Sequence, residues 1–315
     1  MALPGAGFEY PEVEVTWFKR DLLLFANSIG CKADELHFLY ELHPKFCAFP
    51  TYPIILPFKH KDQEVIDFYS RTNAIPIPGV PKLDSKRVVD GQRKIEFRRQ
   101  IPTSSNGRQF LIKSKVLGVY DKGKSGTVVE TEQILVERIG SKDIIYCRAV
   151  GSGFYVGQGG WGGPKGPQTE SFPPPANRLP DATYAHPTNA ESALLYRLNG
   201  DYNPLHATPE PGAKMGFGGA IMHGLFSWNT TAHGILKTLG DSDPANLKEF
   251  QARFASPVKP GDILETDIWR VGKVDGYAEG WEEVRFVTKV KGGKVCLSNG
   301  KAIIKIPRSG LTSKL

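Results

Sequence analysis

Residues 151–180 constrain this chain more than any other segment. They hold Gly157-Gln158-Gly159-Gly160-Trp161-Gly162-Gly163-Pro164 and then Phe172-Pro173-Pro174-Pro175. Glycine multiplies backbone freedom and proline removes ladder donors, so no regular element is predicted there. The segment reads as a linker between two halves of similar length, 1–150 and 181–308, with a tail at 309–315. A chain of 315 residues also suits about two domains.

The halves repeat one pattern. Each opens with a helical stretch, passes through Pro/Gly-punctuated sequence and closes with a run of strands. Strands are predicted near 94–101, 109–119, 126–136 and 143–150, and again near 249–258, 263–271, 278–290 and 294–306. Alternation such as Ile263-Leu264-Glu265-Thr266-Asp267-Ile268-Trp269 fits strands with one face on a core. The short turns Pro260-Gly261-Asp262 and Lys291-Gly292-Gly293 favour an antiparallel meander over βαβ units. The fold class is therefore α+β, with duplicated domains. The helix opening the second half carries a T-x-x-E capping layout at Thr188-Asn189-Ala190-Glu191, with Ala190, Leu194, Leu195 and Leu198 as its apolar stripe. A second helix is predicted over 220–239, apolar on all sides, as a helix wrapped by a curved sheet would be.

Composition narrows the class of partner. Lys and Arg total 40 against 33 Asp and Glu, a net charge of +7 that favours an anionic ligand. The charges are dispersed among acidic residues, so nucleic acid is not expected. No apolar run approaches the ~20 residues of a membrane-spanning helix, so no membrane span is expected. The amino terminus lacks the basic-then-apolar layout of a secretory signal. Cys31, Cys47, Cys147 and Cys296 lie far apart and read as reduced structural thiols. The histidines show no metal-type spacing; His223 is expected to pack or hydrogen-bond beside the second helix, and no metal or other cofactor is expected. The last residues, Ser313-Lys314-Leu315, spell a peroxisomal address read by an import receptor, which places the protein in the peroxisome.

Two phosphate-binding look-alikes fail on context. Gly118-Val119-Tyr120-Asp121-Lys122-Gly123-Lys124-Ser125 matches G-x-x-x-x-G-K-[ST], but strand-like sequence follows where a helix should open. It is predicted to be a turn. Gly157 to Gly162 spells G-x-G-x-x-G, yet Gly163-Pro164 follows, so it is linker glycine.

The informative run is Tyr196-Arg197-Leu198-Asn199-Gly200-Asp201-Tyr202-Asn203-Pro204-Leu205-His206. A carboxylate and an imidazole five residues apart, stiffened by Pro204, can converge on one water. The carboxylate is expected to raise the basicity of the imidazole, and the pair suits general acid–base work. On spacing alone, Asp201 serves equally as a turn residue and His206 as a surface or capping group.

The run resembles the Y-R-L-x-G-D-x-N-P-L-H signature of the MaoC-like (R)-specific 2-enoyl-CoA hydratases, the hydratase 2 group. Two further stretches, in order, resemble that family: Gly216-Phe217-Gly218-Gly219-Ala220-Ile221-Met222-His223-Gly224-Leu225 and Arg253-Phe254-Ala255-Ser256-Pro257-Val258-Lys259-Pro260-Gly261. The likeness covers essentially the whole chain, in the two-domain layout of the eukaryotic peroxisomal members. It departs at Ala220, where proline is usual, at Met222, where leucine is usual, and in an extra Pro211-Gly212 before the second stretch.

The resemblance implies a double hot-dog fold, two curved antiparallel sheets each around a long central helix. It implies that Asp201 and His206 are the catalytic pair acting through one water, with Asn203 orienting them. The Gly224 N–H would then donate to the thioester oxygen as enolate charge builds there. Water would add to trans-2-enoyl-CoA to give (3R)-hydroxyacyl-CoA in peroxisomal fatty-acid metabolism. Arg253 and Lys259 are candidates for the phosphates of coenzyme A, which the substrate itself carries. Aligning Gly30 with Gly200 puts Cys31 at the Asp201 position and Leu36 at the His206 position. The first half would thus be non-catalytic and shelter an acyl chain. Hot-dog halves of this kind commonly pair, so a homodimer is expected. Other readings are a hydro-lyase acting on a specialised acyl-CoA, an acyl-CoA thioesterase of the same fold, and a non-catalytic acyl-CoA carrier.

Overall fold

The computed structural model describes residues 3–71 and 75–307, the Lys86 side chain excepted; the tail with Ser313, Lys314 and Leu315 lies outside them. The first half runs β1 (Val13–Val15), α1 (Lys19–Ser28), α2 (Leu36–Leu39), a 3-10 turn (Tyr52–Ile55) continuing into α3 (Leu56–Lys59), then β2 (Val88–Phe97), β3 (Gln109–Asp121), β4 (Gly126–Ile139) and β5 (Lys142–Val156). The second half runs β6 (Ala182–Pro187), α4 (Ser192–Tyr196), α5 (Pro209–Lys214), α6 (Gly224–Leu239), β7 (Leu247–Phe254), β8 (Ile263–Lys273), β9 (Trp281–Val290) and β10 (Val295–Lys305).

The strands form one sheet in the order β1-β3-β4-β5-β2-β7-β10-β9-β8-β6. Read from each outer edge inward, β1-β3-β4-β5-β2 and β6-β8-β9-β10-β7 are the same sequence of moves, so the duplication predicted from the pattern is a double hot-dog. The two sheets expected are in fact continuous. β2 and β7 pair antiparallel, with Gln92 opposite Arg253 and Glu96 opposite Glu249. Pairing them removes two edges whose backbone donors and acceptors would otherwise stand open. One hydrophobic core spans both halves, from Trp17, Phe25 and Tyr52 to Trp228, Phe250 and Phe286. No helix among the described residues is long and apolar enough to cross a membrane.

Four expectations need correction. First, residues 151–156 belong to β5, not to the linker. A Cβ at Gly151 would stand 2.8 Å from Arg93 Nη1, and one at Gly153 3.2 Å from a Val88 methyl. These glycines leave room for side chains of the neighbouring strand while the ladder continues. From Gly157 to the start of β6 the backbone is irregular, as predicted. The Asp121 carboxylate ties this stretch down by accepting the N–H groups of Gly160, Gly162 and Gly163, along with that of Gly123. The P-loop look-alike is accordingly a turn, a 3-10 segment over Gly123–Ser125 between β3 and β4.

Second, among the described residues only the second half has a long central helix. α6 is 16 residues long and buried on every side from Leu225 to Leu236. Its counterpart in the first half is residues 52–59, interrupted by Pro53 and Pro57, which cannot donate to a helix ladder. Third, α6 begins at Gly224 and not at residue 220. Gly216, Gly218 and Gly219 have φ of +83°, +78° and +152°, and the Met222 N–H donates to the Val258 carbonyl, so the approach is an extended strap.

Fourth, α4 starts at Ser192 without a side-chain cap. The Thr188 hydroxyl donates to the Asp262 carbonyl at 2.7 Å and accepts the Gly261 N–H at 2.9 Å, so it is spent on the β7–β8 turn. Burial follows Ala193 and Tyr196, and the stripe predicted to face the core is turned outward: Leu194, Leu195 and Leu198 are 45, 38 and 40% exposed. Strand ends also move. β2 starts earlier and stops at Phe97, β7 stops at Phe254, and the short outer strands β1 and β6 carried no sequence pattern strong enough to find.

Candidate active site

Behind α4 a 3-10 turn (Arg197–Asn199) ends at Gly200, whose φ is +121°. A Cβ there would lie 2.7 Å from the Lys59 backbone nitrogen and Cα, so glycine lets the chain turn against α3 of the first half. Asp201 follows immediately. The Asn203 N–H donates to Asp201 Oδ1 at 3.3 Å, and Asn203 Oδ1 accepts the Leu205 N–H at 3.0 Å, capping the 3-10 turn Pro204–His206. Asn203 therefore positions both predicted catalytic residues through the backbone. Glycine at position 212 is equally constrained, because a Cβ would collide with the Gly219 carbonyl. The extra Pro211-Gly212 thus lies in α5 and braces the glycine strap leading to α6.

His206 Nδ1 is 2.8 Å from the Ile221 carbonyl oxygen. A carbonyl only accepts, so Nδ1 carries the proton and the neutral ring keeps a lone pair on Nε2. His223, at the N-cap of α6, donates its Nε2–H to the Asp201 carbonyl at 3.0 Å. Its ring stacks on that of His206, centroids 3.7 Å apart and planes 28° apart, with Tyr196 against it at 5.1 Å. His223 Nδ1 is buried with no hydrogen-bond partner among the described residues. His223 packs and hydrogen-bonds beside α6 as expected, and what it packs against is His206, the candidate catalytic histidine. Donor atoms of Asp201, His206 and His223 all lie within 4.8 Å of one another. A second such group is Cys31, Glu35 and His233, and there Glu35 already accepts from His233, Ser242 and Lys237.

Burial sets the charges here. It pushes the Asp201 carboxyl up to about 6, the Asn203 N–H working against it, the charge of Asp90 with it, and Arg197 and Arg93 against. The same burial pulls His206 down to about 4 and His223 well below its ordinary range. The expectation that Asp201 raises the basicity of His206 is thus reversed, because desolvation of an imidazolium outweighs a carboxylate that is itself desolvated. The neutral ring keeps Nε2 as a hydrogen-bond acceptor, and its lowered basicity means that it does not hold a proton at neutral pH.

Gly224 is the first residue of α6, so its N–H has no i−4 partner, and it is exposed. The Phe254 ring lies 3.1 Å from where its Cβ would be. From the first half, β2 brings Asp90 and Arg93. Arg93 donates to Asp90 Oδ1 at 2.9 Å through Nη2 and at 3.2 Å through Nε, and its carbonyl accepts Trp228 Nε1–H at 3.3 Å. Sequence reasoning missed this pair, since only the β2–β7 pairing brings it near a residue more than a hundred positions away. Arg253 and Lys259 are both exposed. Arg253 lies on β7 opposite Gln92, and Lys259 Nζ is 3.9 Å from the Cβ position of Gly218 on the strap.

Comparison with known proteins identifies the family. The model of the MaoC like domain matches residues 171–291, and that of the MFE-2 hydratase 2 N-terminal domain matches residues 16–157. The chain is 54% identical to "Probable dehydratase NIT22" of Ajellomyces capsulatus, over 98% of this chain and 84% of that protein. It is 33% identical to "Probable enoyl-CoA hydratase 2" of Dictyostelium discoideum, over 95% of this chain and 94% of that one. The crystal structure of a MaoC-like dehydratase from Phytophthora capsici superposes with a TM-score of 0.80 at 32% identity, covering 96% of this chain and 97% of that one.

Proposed function

The chain belongs to the MaoC-like dehydratase family in its two-domain hydratase 2 form, and from that premise we propose that it adds water to trans-2-enoyl-CoA to give the (3R)-hydroxyacyl-CoA inside the peroxisome. It is a hydratase/dehydratase lyase of the enoyl-CoA class. The observation that supports the finer reading is that an ionisable carboxylate and an imidazole come together beside His223, the residue immediately before the first residue of α6, Gly224.

In this reading one water donates to Asp201 and to His206 Nε2. Its oxygen attacks Cβ of the enoyl group while negative charge moves onto the thioester oxygen, where the Gly224 N–H and the α6 dipole receive it. The proton released by the water passes to the pair and from there to Cα, so hydrogen and hydroxyl both come from that water. With both acid–base groups holding one water, that water would reach the double bond from a single face. Arg253, exposed on β7, and Lys259, exposed near the strap, are suited to the phosphates of coenzyme A.

The first half serves this chemistry without performing it. Cys31 and Leu36 stand where Asp201 and His206 would, and the shortened 52–59 segment leaves the acyl chain a place to go. Import rests on Ser313, Lys314 and Leu315. Outward-facing Leu194, Leu195 and Leu198 favour a homodimer, which light scattering measures. Chiral analysis of the product from trans-2-decenoyl-CoA tests the stereochemistry. A (3R) product is expected; a (3S) product contradicts the reading, and release of free thiol without hydration favours the thioesterase. Removal of the last three residues from a fluorescent fusion tests the location: the fusion should leave the peroxisome.

A further inference from the structure

The proposed hydration employs the side chains of Asp201 and His206, and His223 brings a third donor atom that it leaves unused. The Nε2–H of His223 is spent on the Asp201 carbonyl at 3.0 Å, so Nδ1 carries a lone pair. That atom is buried with no hydrogen-bond partner among the described residues, in a side chain only 2% exposed. A stranded lone pair costs free energy until a donor or a cation meets it. His206 is oriented in the same manner, with Nδ1–H on the Ile221 carbonyl at 2.8 Å and the Nε2 lone pair left over. A carbonyl on the far nitrogen of the ring is the contact that fixes the tautomer of metal-binding histidines, and both rings have it.

Asp201 completes the set. Its carboxylate accepts the Asn203 N–H at Oδ1 and no other hydrogen bond among the described residues. One donor atom from each of the three residues lies within 4.8 Å of the other two. Ligands held at ~2.0–2.2 Å in a tetrahedron stand roughly 3.3–3.6 Å apart. Rotation of the half-buried Asp201 side chain reaches that spacing. Two imidazoles and one carboxylate, with a fourth position for water, suit Zn²⁺; Mg²⁺ and Ca²⁺ take oxygen sets instead. Among the charges around Asp201, Asp90 favours a cation while Arg93 and Arg197 oppose it.

The other donor cluster lacks this opening. Glu35 accepts from His233, Ser242 and Lys237, and the Tyr184 hydroxyl stands 3.3 Å from His233 Nδ1. Those groups satisfy one another, and Lys237 already supplies the cation.

We propose that Asp201, His206 and His223 form a Zn²⁺ site that switches the enzyme off. The ion takes the carboxylate and the Nε2 lone pair that would hold the catalytic water, so no base is left to carry a proton to Cα. Binding needs only the three side chains; inhibition rests in addition on the hydratase reading.

The test uses the full chain, freed of metal with a chelator and dialysed. Zn²⁺ is titrated against a chromophoric chelator without substrate, and Co²⁺ is added separately as a spectroscopic probe. One Zn²⁺ per chain is expected, and excess Mg²⁺ should not displace it. Bound Co²⁺ should show the visible bands of a four-coordinate ion, without the near-ultraviolet thiolate band that Cys31 would add. His223→Phe keeps the stack and removes Nδ1, so its affinity for Zn²⁺ should fall at least about tenfold. Cys31→Ser should bind as wild type does. Zn²⁺ should abolish hydration of trans-2-decenoyl-CoA by wild type, while the slower His223→Phe keeps its rate at the same concentration. Absence of binding, binding that survives His223→Phe, a cobalt thiolate band, or bound Zn²⁺ that leaves hydration undiminished overturns the proposal. Because binding is read without substrate, a chain that takes up Zn²⁺ in this way and hydrates nothing contradicts the hydratase reading and supports the site.

Discussion

The imidazole of His223 lies on that of His206 with the centroids 3.7 Å apart, and the same ring holds the Asp201 carbonyl through Nε2. One side chain therefore sets the environment of both candidate catalytic residues. It shields the His206 ring from water and fixes the start of the loop that carries Asp201.

Removing His223 tests that arrangement. In His223→Ala water reaches His206, whose pKa should climb from about 4 toward its ordinary 6.5. His223→Phe keeps the stack and loses the hydrogen bond, so His206 should stay low while turnover falls roughly tenfold through loosened positioning of Asp201. Titration of the imidazole resonances by NMR reads the first effect and kcat the second. A His206 unmoved by His223→Ala would contradict the shielding role.

The pH dependence should belong to the carboxylate. Asp201 titrates at about 6 and His206 at about 4, so above about pH 6 the charged acid and neutral base coexist. The value of kcat/KM should rise with pH through about 6. Asp90→Asn should lower that midpoint, because a negative neighbour is removed, and Arg93→Gln should raise it. Stability moves the other way. Between 3.8 and about 6 the folded protein keeps a proton on Asp201 that the unfolded chain releases, so this group's contribution declines as pH rises through that window.

Gly200 should tolerate substitution poorly. Its φ of +121° and the 2.7 Å approach of a Cβ to the Lys59 backbone combine strain with a clash against main chain. Gly200→Ala should cost roughly 3 kcal/mol, read from the urea midpoint. Gly224→Ala meets only the movable Phe254 ring and should cost roughly 1 kcal/mol or less.

The halves are also clamped by a buried pair. Glu35 of the first half accepts from His233 and Lys237 of α6 and from Ser242. Burial by itself would raise its carboxyl, but the His233 hydrogen bond and charge, with Ser242 and the Lys32 N–H, hold it down to about 2. Its contribution is complete above 4.5 and is lost as pH falls from there toward 2. Glu35→Gln should destabilise by about 3 kcal/mol at neutral pH, since the carboxylate that accepts from His233, Ser242 and Lys237 is lost from a buried site. Thermal unfolding at pH 7 and pH 3 measures both effects, and the variant should differ less from wild type in acid.

Period and punctuation made much of the fold legible. Eight strands, the long apolar helix and the turn at Gly123 follow from alternation and from glycine and proline placement. The continuity of the sheet was not legible, because pairing of β2 with β7 joins residues about 160 apart and leaves no local mark. The stripe at Leu194 and Leu198 misled for a related reason: periodicity shows which residues share a helix face, and Tyr196 and Ala193 decide which face turns inward. Asp201, Asn203 and His206 could be singled out from the sequence because their motif is contiguous, and Gly224 because a second short stretch carries it. Asp90 and Arg93 were not, and the depressed His206 basicity followed from burial that no spacing reports.

The most direct measurement is the loss of enoyl thioester absorbance when the purified protein meets trans-2-decenoyl-CoA, with Asp201→Asn beside it. Wild type should hydrate the substrate, and the variant, folded by circular dichroism, should be slower by roughly 10² to 10⁴-fold. A variant that keeps its rate, or a wild type that leaves short, medium and long enoyl chains untouched, would contradict the assignment of Asp201 and the function built on it.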